Sequence, residues 1–110
     1  MDNGLLNFAY ICNMTEFETI YNTIKGLKNE LSSKYHVSSI GLFGSVVRDD
    51  YSPSRSDVDI IVDFTHPVGI EFIDLAEYLE AKINKKVDLV SKKGIKPKYY
   101  KQIEPEIKYV

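Results

Sequence analysis

With 110 residues, 14 basic and 16 acidic side chains (net charge −2), 44% hydrophobic and 27% charged residues, the chain has the make-up of one ordinary folded domain and too little length for two. No apolar run reaches the ~20 residues of a membrane span, nothing near the start has the basic-then-apolar pattern of a secretory signal, and the single cysteine, Cys12, excludes an internal disulfide, so a cytoplasmic protein is expected. The slight acidic excess argues against a protein that grips a nucleic-acid polymer through its phosphates.

Residues 1–13 show no defensible helix or strand period, and are read as an extension upstream of a start at Met14, leaving residues 14–110 as the domain. The rival reading is a native arm that packs on a partner. Thr15 and Glu18 form a T-x-x-E capping box, in which each side chain satisfies an orphan backbone donor. From Thr15 to about Lys34, Phe17, Ile20, Tyr21, Ile24, Leu27 and Leu31 recur at helical spacing, which predicts a first helix with this stripe in the core. Val37 to Phe43 is a first strand, with His36 read as a solvated boundary residue because no second histidine is near it in the chain. The segment 46–50 allows a short helix. Val58 to Phe64 is a second strand, and His66 to Gly69 a loop.

A second long helix is predicted over Ile70–Ile83, with Ile70, Ile73, Leu75, Ala76, Leu79 and Ile83 inward and Glu71, Asp74, Glu77 and Glu80 wet. Lys85 to Val90 is a third strand, placing Val87 and Leu89 on one face and Asp88 with Val90 on the other. Pro97 suits the first position of a short helix over Lys98–Ile103, ended or kinked at Glu104-Pro105. The tail from Glu106 to Val110 is ambiguous, and a resumed helix is one option. Lys92, Lys93, Lys96, Lys98 and Lys101 form a basic cluster, either a solvated face or one that steers ATP or an acidic partner. The order α-β-α-β-α-β-α predicts an α/β fold with a small mixed sheet of three strands, or slightly more, packed with helices.

The chemistry concentrates between Gly41 and Phe64. A strand ends at Gly44-Ser45, where glycine lets the backbone approach a phosphate and serine adds a hydroxyl. Arg48 follows, free in sequence terms to meet phosphate or to pair with Asp49 or Asp50. At the far end of the polar connection, Ser56-Asp57-Val58-Asp59 enters the second strand with both carboxylates on one side. Neighbouring carboxylates repel unless a cation sits between them, and Mg²⁺ takes one or two carboxylates plus substrate phosphates. Asp88, a carboxylate within an apolar strand, is read as the third of the set; the plainer reading is a strand-edge acid facing water.

Gly44-Ser45, Arg48 and Ser56-Asp57-Val58-Asp59 resemble the signature of the minimal nucleotidyltransferases of the DNA polymerase β superfamily, and in particular the small antitoxins of the MntA type encoded beside HEPN-domain toxins. The resemblance covers the chain from about Thr15 onward. It departs at two points: Ser45 and Asp57 are separated by one residue more than the family pattern has, and Asp49 stands where a glycine often follows the arginine. The extra residue is placed in the Asp50–Arg55 turn. The resemblance implies the nucleotidyltransferase fold and transfer of AMP from ATP to a hydroxyl, with pyrophosphate leaving. Asp57, Asp59 and Asp88 would be catalytic and would hold Mg²⁺, in a pair of ions, and Gly44, Ser45 and Arg48 would bind the nucleotide. Asp88 would complete the second metal site or take the acceptor's proton. The implied acceptor is a tyrosine of a cognate HEPN toxin. Two other readings stay open: an antitoxin that neutralises by binding alone, and a nucleotidyltransferase subunit acting on a small molecule or RNA. A homo- or hetero-oligomer is compatible with each.

Overall fold

The computed structural model describes residues 15–48 and 56–110. The expectations for residues 1–13, for Asp49 and Asp50 and for the Asp50–Arg55 turn lie outside those residues. Helix α1 (Glu16–Tyr35) starts at the expected capping box: Thr15 Oγ1 accepts from the Glu18 N–H at 3.0 Å, and Glu18 Oε1 accepts from the Thr15 N–H at 3.0 Å. It stops where His36 turns into the left-handed region at φ 62° and its N–H caps the Leu31 carbonyl. Ile20, Ile24 and Leu31 of its stripe are buried, with Phe17, Tyr21 and Leu27 packed around them.

Strands β1 (Val37–Phe43), β2 (Val58–Phe64) and β3 (Val87–Ser91) form a sheet with β4 (Lys108–Tyr109), in the order β3-β2-β1-β4. β1 runs antiparallel to β2 and β4, while β2 and β3 are parallel, so the sheet is mixed. The strand β4 replaces the resumed helix considered for the tail. Its two residues pair with Gly41 and Leu42, and Gly41 is needed there, since a Cβ on it would lie 2.8 Å from Ile107 Cγ2. The remaining helices are α2 (Ser45–Arg48), α3 (Ile70–Ile83) and α4 (Pro97–Ile103), with Pro97 in the first turn of α4. A 3₁₀ turn (Glu104–Glu106) links α4 to β4. Among the described residues no helix is long and apolar enough to cross a membrane.

Because strand side chains alternate, each strand serves two layers. Ile40, Leu42, Val58, Ile60 and Val62 join α1 and α3 in the main core, whereas Phe43 and Ile61 meet Ile103 of α4 in a smaller cluster on the other face. Helix α3 corrects the sequence reading. Ile70 and Ile73 were expected inward, yet are 70% and 59% exposed. At about 100° per residue, the stripe that packs runs through Phe72, Leu75, Leu79 and Ile83, and Ile70 and Ile73 fall on the far side of it. Of the acids expected to be wet, Asp74 and Glu77 are exposed, while Glu80 turns in far enough for its Oε2 to accept from the Val87 N–H at 3.1 Å. The fold also brings His66 to His36, their ring centroids 4.3 Å apart, which the sequence spacing concealed.

Candidate active site

Register brings the carboxylates together. Asp59 is the second residue of β2, and its Cα partner on β3 is Asp88, while its partner on β1 is Phe43, one residue before the Gly44 turn. The residues flanking Asp59 face the main core, so Asp59 projects from the other face, as does Asp88 beside Val90 of the smaller cluster. Asp57 lies just before the strand and is exposed. Asp88 is exposed too, on the edge strand of the sheet, so it has the position of the plainer reading and the company of the functional one.

The electrostatics of Asp59 record this crowding. Its carboxyl is pushed up to about 6, first by burial, then by the charges of Asp88 and Asp57, with Arg48 opposing the rise and a hydrogen bond to Asp88 adding to it. An acid raised in this way by burial and by two other acids would be relieved by a cation, and the donor set is all oxygen, as Mg²⁺ prefers. Among the described residues no group of three or more His, Cys, Asp and Glu is placed to hold a metal ion. Mg²⁺ usually takes one or two carboxylates plus substrate phosphates, and the adjacent Asp59 and Asp88 offer such a pair.

The Gly44 turn is shaped around Asp59. Gly44 sits at φ 78°, and a Cβ there would collide with the Asp59 carboxylate, so the position excludes larger residues both by backbone and by space. Its carbonyl accepts from the N–H groups of Val47 and Arg48, at 3.0 and 3.1 Å, which closes the single turn of α2 and puts half-buried Ser45 at its start. Arg48 turns back towards the site. Its Nη1 donates to Glu106 Oε1 at 3.2 Å and Oε2 at 3.1 Å, and Glu106 Oε2 also accepts from the Gly44 N–H at 2.8 Å. Arg48 therefore has an acidic partner that neither sequence alternative named.

A cavity of about 260 Å³ opens between the Gly44 turn, Arg48 and Asp59 on one side and Tyr99, Gln102 and Glu106 on the other. Sequence reasoning missed these last three. Their spacing on α4 and the following turn marks only one helix face, and nothing local shows that this face meets the carboxylates. A larger cavity of about 370 Å³ at the other end of β2 is lined mainly by Phe64, Pro67, Val68 and Phe72, and contains none of the site residues. The smaller cavity is the candidate for the site, because the Gly44 turn, Arg48 and Asp59 meet there. Of the lysine cluster, Lys92 lies over the rings of Tyr100 and Tyr109, at 5.8 and 6.0 Å, on the α4 side of the sheet.

Comparison with known proteins identifies the family. The family model described as "Nucleotidyltransferase domain" matches residues 24–110. The chain is 42% identical, over 88% of its length and 98% of the relative, to the protein adenylyltransferase MntA of Thermococcus cleftensis. It is also similar to the crystal structure of a toxin–antitoxin with AMP-PNP, with TM-score 0.67 and 26% identity, covering 80% of this chain and 69% of that one. A complex of a tri-AMPylated Shewanella oneidensis HEPN toxin with MNT antitoxin shares the fold, with TM-score 0.59 and 24% identity over 86% of this chain and 71% of that chain. With its carboxylates paired across adjacent strands and its glycine turn beside them, the chain belongs to the nucleotidyltransferase domain family, as an enzyme of the minimal, MntA-like kind.

Proposed function

We propose that the chain transfers AMP from ATP to a tyrosine hydroxyl of a partner HEPN toxin and acts as that toxin's antitoxin. The observation that carries the reading is the alignment of Asp59 with Asp88 on adjacent strands, facing a glycine turn with Arg48 behind it. A 42%-identical relative named as a protein adenylyltransferase supports a protein acceptor, and the likeness to a toxin–antitoxin with AMP-PNP supports both an adenine nucleotide and a toxin partner. Kinship of the Gly44-Ser45, Arg48 and Asp57/Asp59 pattern with MntA-type antitoxins points to HEPN as the toxin class.

In this reading Asp57 and Asp59 would hold Mg²⁺. The bound ion would supply neutralisation of the triphosphate and of the charge that builds during transfer. The Gly44 turn and Ser45 hold the β- and γ-phosphates, and Arg48 balances their charge. The acceptor oxygen bonds to the α-phosphorus, the bond from that phosphorus to the bridging oxygen breaks, and pyrophosphate leaves. Asp88, exposed at the strand edge, takes the acceptor's proton. Phosphoryl-type transfer of this sort rests on positioning and fixed charge more than on covalent help from side chains.

The test is incubation with α-labelled ATP, Mg²⁺ and the product of the neighbouring gene. Label is expected on a tyrosine of that protein, lost in the Asp57→Ala/Asp59→Ala double variant together with neutralisation of toxicity. Full neutralisation by the double variant with no transfer of label would overturn the enzymatic reading in favour of occlusion. Label confined to RNA or a small molecule would overturn the choice of acceptor.

A further inference from the structure

The donors of the Gly44 turn are already engaged, and by an acid outside the resembled signature. Glu106 Oε2 sits 2.8 Å from the Gly44 nitrogen and 3.1 Å from Arg48 Nη1, with Oε1 3.2 Å from the same nitrogen. A carboxylate and a phosphate make the same demand, two or more oxygens accepting from N–H groups and a guanidinium. If the triphosphate binds at this turn, as proposed above, one of its oxygens and the Glu106 carboxylate require the same two donors and cannot hold them together.

The backbone that carries Glu106 is fixed from both directions. Before it, Ile103 is buried against Phe43 and Ile61; after it, Ile107 packs on the same cluster, and the Val110 N–H donates to the Ile40 carbonyl at 2.9 Å. Lys28 Nζ adds a bond to the Val110 carbonyl at 3.0 Å. The side chain is held by its own bonds and not by the tail: its ion pair with Arg48 is exposed on the arginine side (52%), while Glu106 itself is 23% exposed and its bond to the Gly44 N–H is partly buried. Yielding to an incoming anion therefore takes a change of rotamer and leaves the tail in place.

We propose that Glu106 is an internal competitor for the phosphate-binding turn. Its carboxylate engages the Gly44 N–H and Arg48, swings out when the triphosphate enters, and swings back to help displace pyrophosphate. This rests on the nucleotide reading of the site, and adds to it a residue that sets affinity without touching the reacting atoms.

Calorimetric titration of Mg·ATP, and separately of Mg·pyrophosphate, into the unmodified chain, Glu106→Gln and Glu106→Ala tests the idea. Both ligands are expected to bind both variants more tightly, by about five- to tenfold, the scale of an exposed charge-assisted pair. In transfer assays KM for ATP should fall while kcat stays level or drops, because pyrophosphate leaves more slowly. Equal or weaker binding by the variants, with binding to the unmodified chain intact, would overturn competition and make Glu106 a holder of Arg48. Failure of every form to bind either ligand would instead overturn the nucleotide reading, and this inference with it. Should the variants fold poorly, the unmodified chain still decides. The side-chain carboxyl ¹³C resonance of Glu106 is expected to move on saturation with Mg·pyrophosphate, and one unmoved by bound ligand overturns the proposal.

Discussion

Replacing Asp59 by asparagine is expected to stabilise the metal-free protein near neutral pH while abolishing transfer. The Asp59 carboxyl stands at about 6, against 3.8 for an unperturbed aspartate, because burial and the charges of Asp88 and Asp57 disfavour its ionised form. A rise of that size sets an upper bound of about 3 kcal/mol on the penalty of ionising it in the folded chain. Asp59 is only half-buried, and solvent screening reduces the figure to about 1–1.5 kcal/mol. The sign follows from proton binding. Between the unfolded and folded values the folded chain holds the extra proton, so stability falls as pH rises from 3.8 through about 6, and the whole penalty is present above that. Asparagine carries no charge and escapes it. Urea denaturation in the presence of a chelator should therefore show Asp59→Asn more stable by about 1–1.5 kcal/mol near pH 7, with the gain fading towards zero near pH 4. Millimolar Mg²⁺ should narrow the difference by stabilising the unmodified chain alone. A variant no more stable than the parent near pH 7, or one whose gain persists unchanged near pH 4, would refute the account of a half-buried Asp59 crowded by Asp57 and Asp88.

Gly44→Ala forces a Cβ both into the left-handed region and against Asp59; thermal unfolding should show a loss of at least about 1–2 kcal/mol, and titration with Mg·ATP a loss of binding. Thr15→Ala removes the α1 capping box, which should cost about 1 kcal/mol in urea denaturation. Leu79→Ala empties a fully buried position of α3 and should cost about 2–5 kcal/mol, whereas Ile73→Ala on the exposed side of the same helix should stay within about 0.5 kcal/mol of the parent. Equal effects of these two α3 substitutions in denaturation experiments would contradict the packing described for the helix.

Much of this architecture can be read from local signals. The capping box at Thr15 and Glu18, the proline at the head of α4 and the apolar runs of β1 and β2 each act over a few residues, and those elements lie where the sequence puts them. The features that could not be read depend on distant neighbours. Strand β4 has two residues, too few for any period, and exists because Gly41 leaves room for Ile107 and Tyr109. Ile70 and Ile73 misled because apolar character was counted without its angle, although the run through Phe72, Leu75, Leu79 and Ile83 was present to be found. In the site, Gly44, Ser45, Arg48, Asp57 and Asp59 come from one contiguous stretch and were visible as a pattern. Asp88 needed a guess about strand register. Glu106, 58 residues from Arg48, gave no signal at all, since only the return of the tail beside β1 brings it to the turn.

Asp88 is exposed on the outermost strand of the sheet, and among the described residues no further strand lies beyond it. Among the described residues that carboxylate is open to approach from the flank. A hydroxyl borne on a bulky, already folded molecule could reach it by simple lateral docking, whereas small diffusible alcohols would find little there to retain them. The geometry of the rim thus favours acceptors that bring their own grip.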